Sequence, residues 1–494
     1  MPEPWGTRVA RWVLPAIVIL YLILGTLYAL LTPAWQAPDE PAHYNYVRFL
    51  AEQHRFPLLK PGDYPADYME EIKAAHFPPD MSIDPIRYEF HQPPLYYLIA
   101  VPTYQLFRGA LLPLRLLSLV LGALLLLVVY WIVREVAPHS PCLALAAAAF
   151  VAFLPMHLAM TAAANNDTLA ELLLALILLF SIRYLKESVQ AQPETRLLVL
   201  LGVTTGLGLV TKSSVYFALP LVLIAILARH LWLDENPPSM LGSLKAFVLY
   251  LLPAVAMALP WWLRSIAVYG GLDFLGLGRH ELVVAGQLRT ADFVAQNGLP
   301  RLLTDLAGTT FRSFWGQFGW MGVLLDQRIY QALAILSSLA LVGFLLWAWS
   351  GWRRQAKFPP WQWAACGVLV LTLLFTAATY LWYNAGFLQH QGRYLFRALV
   401  PISLAVALGW REVLRRDRAV PLAALLLVGG LVLGLVGRAG VWPLLMLVSA
   451  SVLFLVRRFM PDSWDPAIHA VPYLALIPLN LACLFLFIIP QLAV

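Results

Sequence analysis

Charge is what this sequence has least of. Asp, Glu, Lys and Arg make up 12% of its 494 residues against 61% hydrophobic ones, and the mean hydropathy is +0.72. That is more apolar side chain than the core of a water-soluble chain could bury, which excludes a soluble multidomain enzyme. Period-two alternation is missing as well. Leu111 to Val133 is apolar almost throughout, whereas strands of a membrane barrel alternate apolar and polar residues, so the spans are expected to be helical. Cysteine is scarce, and Cys142, Cys366 and Cys483 each lie in an apolar run. They are too dispersed for a metal knuckle, are expected to pack as small apolar side chains, and say nothing about redox compartment. Internal repeats and low-complexity tracts are also lacking, which counts against a transporter built from inverted repeats.

What the chain does have is a recurrence of apolar runs of about 20 residues. Hydropathy read together with Lys/Arg flanks gives about 13 spans. They fall near residues 12–32, 113–133, 141–161, 168–185, 196–211, 215–232, 244–265, 328–349, 361–383, 394–410, 419–436, 441–456 and 467–490, give or take about two to four residues at each end. The first follows Arg8 and Arg11, exceeds a usual signal-peptide core and has no small-x-small cleavage site, so it reads as an uncleaved helix.

Arg8 and Arg11, Arg183 and Lys186, Arg353 and Arg354, the Arg411–Arg418 cluster, and Arg457 with Arg458 all fall in short connections on one side. The positive-inside rule makes that side cytoplasmic, with the N-terminus on it and the chain in the plasma membrane. This places about 17 basic and 10 acidic residues there, and about 17 of each on the opposite side. The net charge of +7 is therefore a topology signal and calls for no nucleic-acid partner. Two long segments, 32–113 and 265–327, interrupt an otherwise economical loop design on the extracytoplasmic side. Loops of this length are functional or disordered. The pattern His43, Tyr44, Tyr46, Val47, Phe49, Leu50 and the later pair Tyr96–Tyr97 instead suggest short helices in the membrane interface.

The first long segment opens with Trp35-Gln36-Ala37-Pro38-Asp39-Glu40-Pro41-Ala42-His43-Tyr44. Adjacent carboxylates between prolines sit on a stiff turn, and Pro41 is placed to start a helix. Asp39 suits two roles there: a helix cap, or a partly desolvated carboxylate whose pKa is raised by its neighbour and which accepts a proton from a hydroxyl or amine. Further on comes Glu89-Phe90-His91-Gln92-Pro93-Pro94-Leu95-Tyr96-Tyr97. His91 there is either a structural hydrogen-bonding group or a partner of Asp39 around a ligand. No zinc-type spacing is present, and a divalent cation is left open. Asn166-Asp167-Thr168 matches a glycosylation sequon but lies too close to a span, and reads as a polar turn at a cavity mouth.

Lys212, Arg264 and Arg393, with Tyr394 beside it, fall at the outer ends of spans. Cations at membrane depth are costly unless they pair or face a cavity, so each is either a snorkelling side chain or a ligand for phosphate oxygens. Phe311-Arg312-Ser313-Phe314-Trp315-Gly316-Gln317-Phe318-Gly319-Trp320 reads as an interfacial aromatic belt whose glycines would also allow close approach of a lipid or sugar.

Taken in order, the Pro-Asp-Glu-Pro turn after the first span, His-Gln-Pro-Pro-Leu-Tyr-Tyr before the second, then Asn-Asn-Asp, Thr-Lys, Phe-Trp-Gly-Gln-Phe-Gly-Trp and Gly-Arg-Tyr-Leu-Phe resemble the GT-C superfamily of polytopic glycosyltransferases. Within it the chain looks close to the protein O-mannosyltransferase and lipid A aminoarabinose transferase group, over about residues 10–410. The resemblance implies a sugar donor carried on polyprenyl phosphate, transfer with inversion, and a catalytic acidic residue in the first external loop. Asp39 matches that residue, Glu40 its neighbour and His91 the histidine of the loop's second motif. Arg393, with Lys212 and Arg264, would neutralise the phosphate leaving group.

The expected protein is thus an all-α polytopic membrane protein of GT-C fold, with interfacial helices in its first and fourth external loops. Residues 1–410 form the catalytic module and 411–494 the C-terminal helices. Its expected activity is glycosyl transfer to a lipid, glycan or protein acceptor. The alternative is a lipid or glycan flippase with no bond-making chemistry, which would place charges along a through-going path rather than at one face.

Overall fold

The computed structural model describes residues 5–186, 194–234, 239–353, 358–436 and 440–492. Among them 11 helices are long and apolar enough to cross a membrane, or 12 if one bent pair counts as a span. The remaining expected run, near 196–211, is the shorter apolar helix Thr195–Leu209. The chain is therefore a multi-pass membrane protein. Arg354, one of the charges used for orientation, lies outside the described residues.

Helix α1 (Trp5–Leu31) leads into a long connection holding α2 (Glu40–Gln53), α3 (Ala66–Ala74) and α4 (Leu95–Leu106). Then come α5 (Leu111–Val136), the bent pair α6 (Pro141–Phe153) and α7 (Pro155–Thr161), α8 (Asp167–Lys186), α9 (Glu194–Leu209), α10 (Ala218–Ala228) and α11 (Met240–Tyr269). The second long connection carries α12 (Leu277–Val283), α13 (Thr290–Asn297), α14 (Leu299–Trp315) and a minimal antiparallel pair, β1 (Gln317–Phe318) with β2 (Val323–Leu324). Helices α15 (Gln327–Arg353), α16 (Pro360–Gly386), α17 (Leu399–Val413), α18 (Arg416–Val436) and α19 (Trp442–Phe459) follow, and a final span covers Asp465–Leu492.

The 67° bend between α6 and α7 has a local cause. Leu154 precedes Pro155 and takes an extended conformation (ψ 115), since the proline ring disfavours the helical region for the residue before it. The break frees the Val151 carbonyl, which pairs with His157 Nδ1 at 2.9 Å. Helices α15 and α17 meet through Gly343 and Gly409, where added Cβ atoms would lie 2.2 Å from Gly409 O and 1.9 Å from Ala340 O. This is the small-residue contact by which membrane helices approach closely. Cys483 is buried as expected, but Cys142 is exposed at the start of α6.

The first connection has cores of its own. Tyr46, Val47, Phe90, Tyr96 and Tyr97 pack with Leu114 of α5, Leu169 and Leu173 of α8 and Val283 of α12. A second cluster joins Ala42, Met69, Ile72, Ile86, Tyr88 and Val284. Burial of these apolar side chains fixes the connection onto the end of the bundle.

Candidate active site

The turn before α2 sends its two carboxylates apart. Glu40 is fully buried and takes Arg115 Nε on one oxygen at 2.8 Å and Arg115 Nη2 on the other at 2.6 Å. The backbone N–H groups of Trp35 and Ala164 donate to the same carboxylate at 3.2 and 3.1 Å. Arg115 also donates to Ala29, Thr32 and Pro33 carbonyls at the end of α1. This fork-shaped pairing ties α1, the turn, α5 and the entry to α8 into one unit. Glu40 therefore turns into an ion pair of its own, away from the partners of Asp39, contrary to the expected side-by-side pair.

Asp39 occupies the left-handed region (φ 68, ψ −10) at the start of α2, and its side chain makes no capping bond. The capping role expected for it is not what the carboxylate does. Oδ1 accepts from Tyr88 Oη at 2.7 Å and Oδ2 from Arg393 Nη2 at 2.7 Å. A non-glycine residue in this conformation costs energy that the surrounding contacts must offset, here the Glu40–Arg115 unit on one side and Pro41 on the other. The expected upward pKa shift is reversed. Burial acts to raise it, but the Arg393 charge, His43 and the hydrogen bonds from Tyr88 and Arg393 outweigh burial and hold the Asp39 carboxyl down to about 2.

Around this pair the structure collects groups from distant parts of the sequence. His43, one helical turn after Asp39, bonds through Nδ1 to Tyr97 Oη at 2.8 Å, and Tyr97 stacks on Tyr46 at 3.7 Å. Asn166 Nδ2 lies 3.5 Å from the same Tyr97 hydroxyl, and its Oδ1 accepts from Lys212 Nζ at 2.9 Å. Lys212 pairs with Asp167 at 2.7 Å. Asn166 is fully buried, which agrees with a polar turn lining the site rather than an accessible sequon. Glu89, on the 3₁₀ turn Tyr88–His91, feels the charges of His43, Asp39 and Lys212, and burial pushes its carboxyl up.

His91 is buried, bonded to the Tyr88 carbonyl at 3.1 Å and packed 4.5 Å from the His280 ring. Burial, with His280 and Lys212 nearby, drives His91 well down; His280 is pushed down to about 4 by burial. His91 thus supports the turn that carries Tyr88. Arg264 lies apart, with Nη2 on the Pro57 carbonyl at 2.5 Å and its guanidinium 4.4 Å from the Trp261 ring. Of the expected phosphate ligands, Arg393, Tyr394 and Lys212 fall in the Asp39 cluster and Arg264 does not. Among the described residues no three His, Cys, Asp or Glu side chains are arranged to hold a metal ion.

Arg393 begins the 3₁₀ segment Gly392–Ala398 that enters α17. Gly392 is required there, because an added Cβ would lie 2.3 Å from Phe314 N and Thr310 O of α14. Tyr394 contacts the Arg393 guanidinium at 5.3 Å and the rings of Tyr380 and Tyr383 at 6.5 and 6.0 Å. Arg397, one turn on, bonds through Nε to Tyr394 O at 3.1 Å, feels Asp167 and Glu171, and has no carboxylate within ion-pair distance among the described residues. Beside this segment opens an apolar cavity of about 730 Å³. Its walls include Leu303, Phe311 and Phe314 of α14, Leu341 and Phe344 of α15, Tyr380 of α16, Leu395, and Ile402, Val406 and Trp410 of α17. The segment expected as an aromatic belt thus supplies cavity wall. From Ile402 to Trp410 the cavity follows α17 for about 12 Å at 1.5 Å per residue.

Sequence reasoning named Asp167 only as part of a polar turn at a cavity mouth, and passed over Tyr88, Glu89, His43 and Arg397 as site residues. Glu89 opens the motif that marked His91, and Arg397 directly follows the Gly-Arg-Tyr-Leu-Phe stretch that marked Arg393. The His43–Tyr97 bond spans 54 residues and leaves no local signal.

A helical membrane bundle with a folded first connection docked at one end is the GT-C fold of integral membrane glycosyltransferases, and this chain has that fold. Residues 91–262 match the family described as dolichyl-phosphate-mannose-protein mannosyltransferase. The fold is similar to that of ArnT from Cupriavidus metallidurans bound to undecaprenyl phosphate, with 14% identity over 97% of this chain and 77% of that one and a TM-score of 0.53. The apo state of ArnT gives a TM-score of 0.54 at 14% identity, over 95% of this chain and 76% of that one. Archaeal oligosaccharyltransferase AglB from Archaeoglobus fulgidus, in complex with an inhibitory peptide and a dolichol-phosphate, gives 0.50 at 14% identity, over 94% of this chain and 60% of AglB. The chain spans 55% of the length of an Archaeoglobus fulgidus oligosaccharyltransferase tethered with an acceptor peptide. No curated protein matches by sequence.

Proposed function

We propose that this chain is an inverting glycosyltransferase that moves a sugar from a polyprenyl-phosphate donor to a lipid, glycan or protein acceptor at the extracytoplasmic face of the plasma membrane. Its N-terminus is then cytoplasmic, and residues 1–410 carry the reaction. The observation behind this reading is the Asp39–Arg393 ion pair, with Leu395, two residues after Arg393, in the wall of a large apolar cavity. A base, a phosphate-binding cation and room for an isoprenoid tail then occur close together along one segment. The ArnT and AglB structures, which hold undecaprenyl phosphate and dolichol-phosphate, share the fold.

In this reading the tail fills the cavity and the phosphate meets Arg393 and Lys212, whose charges favour the negative charge that grows on the leaving oxygen. Donor phosphate competes with Asp39 for Arg393. As that ion pair loosens, the Asp39 carboxylate recovers basicity and accepts the acceptor's proton. The two long connections exclude water from the reacting carbon. Glu40 holds the turn rather than acting on substrate.

The test is transfer by purified protein with polyprenyl-phosphate sugars and candidate acceptors. Asp39→Asn should lower turnover by about 10²–10⁴ while leaving undecaprenyl-phosphate binding intact. Wild-type turnover in Asp39→Asn overturns the base assignment. Flipping of labelled lipid without any transfer by the wild type favours the flippase.

A further inference from the structure

The base–phosphate mechanism leaves Glu89 and Asp167 unused; Asp167 is paired with Lys212, and Glu89 has no ion pair among the described residues. It follows Tyr88, the residue that bonds to Asp39, on the same 3₁₀ turn. The Gln92 side chain hydrogen-bonds to its carboxyl, but its Oε2 is buried and has no hydrogen-bond partner, whereas each Asp39 oxygen already accepts one bond. A buried carboxylate oxygen without a donor is costly, and is relieved when that oxygen carries a proton and finds an acceptor. The charged and titratable groups facing Glu89 are Asp39 and His43 from α2, Lys212 after α9, and Tyr88, Tyr97 and Tyr383. Lys212, whose charge acts on Glu89, is one of the cations that would meet the donor phosphate.

We propose that Glu89 is the proton donor of the reaction, delivering its proton to the phosphate oxygen that leaves the sugar. This deepens the glycosyltransferase reading and rests on it. The C1–O bond to phosphate breaks and the C1–O or C1–N bond to acceptor forms. The acceptor's proton goes to Asp39, the Glu89 proton goes to the leaving phosphate, and the products are glycosylated acceptor and polyprenyl phosphate as its monoanion. Proton return from Asp39 to Glu89 restores the site.

Charge balance points the same way. The carboxylates Asp39, Glu89, Asp167 and Glu171 already outnumber the cations Lys212, Arg393 and Arg397 on which they act. An arriving phosphodiester adds one negative charge, which the neutral form of Glu89 offsets. The two carboxyls are pushed in opposite directions, Glu89 up and Asp39 down, as in sites that divide acid and base duties between two carboxylates.

Two measurements test this. In the transfer assay, with whichever polyprenyl-phosphate sugar the wild type accepts, Glu89→Gln should lose about 10²-fold or more in kcat. The alkaline limb of its pH profile should also flatten, while undecaprenyl-phosphate binding stays. An unchanged rate and pH profile overturns the proposal. A merely structural Glu89 would lower the rate at every pH and keep the limb, which also overturns it. Independently of turnover, the infrared difference between wild type and Glu89→Gln, with undecaprenyl phosphate bound at neutral pH, should show one protonated carboxyl stretch missing from the variant. An ionised Glu89 under those conditions overturns the assignment. Absence of transfer from every donor tried, by contrast, overturns the glycosyltransferase reading itself.

Discussion

Asp39 and Glu40 are adjacent in sequence, yet one faces a polar cluster and the other closes a buried ion pair. The left-handed conformation at Asp39 (φ 68) makes the difference, because it turns successive side chains to opposite sides. Nothing in Pro-Asp-Glu-Pro announces that conformation. The sequence marked the stretch as chemistry-bearing, but the partners that assign roles, Arg115 and Arg393, lie 75 and 354 residues away. A structural Glu40 has a measurable signature. Its pair with Arg115 is almost fully buried, and removing one partner of such a pair costs about 3–5 kcal/mol, since the other is left as an unpaired buried charge. Glu40→Ala should therefore lower the melting temperature in detergent sharply. Adding Arg115→Leu should recover a good part of the loss, because the orphaned guanidinium is then gone. A Glu40→Ala protein that melts like wild type yet transfers no sugar would return Glu40 to the chemistry.

At the scale of helices, hydropathy was sufficient for most of the bundle, because a span has to be apolar over its whole length and that cannot be hidden in a sequence. What it did not show is how the helices bend and how closely they approach. The run near 141–161 reads as one span, but Pro155 breaks it and the bend sets His157 against the freed Val151 carbonyl. The glycines of α15 and α17 are single letters within long apolar runs, and only the packed structure reveals that Gly409 lies against the Ala340 carbonyl. Because α15 and α17 also wall the apolar cavity, their spacing sets its width. Gly409→Ala puts a methyl into backbone, for which overpacking costs about 1–3 kcal/mol. The expected outcome is a lower melting temperature together with weaker undecaprenyl-phosphate binding. Gly351→Ala, on the same α15 but with open space at its Cβ, should change neither.

For the whole molecule, the scarcity of charge turns out to be uneven. Ionised side chains stand in the connections at the ends of the helices; one set, Asp39, Asp167, Lys212 and Arg393, stands where the first long connection folds onto the bundle, and Leu395, close after Arg393, lines a cavity walled by leucine and aromatic side chains. Composition places the chain in a membrane and charge bias proposes an orientation, but a cavity between α14, α15, α16 and α17 depends on contacts no linear pattern encodes. Its use can be tested without touching the polar cluster. Ala405 lines the cavity wall on α17, and Ala405→Phe fills part of that space while Arg393 and Asp39 keep their partners. If the cavity houses an isoprenoid tail, the substitution should raise KM for a long-chain polyprenyl-phosphate sugar by about tenfold, some 1.4 kcal/mol of lost tail binding. It should leave kcat, and KM for a donor of only two isoprene units, close to wild type. Equal loss for both donors would move the tail out of the cavity and onto the lipid-facing surface, and the link between the Arg393 phosphate site and this cavity would then have to be abandoned with it.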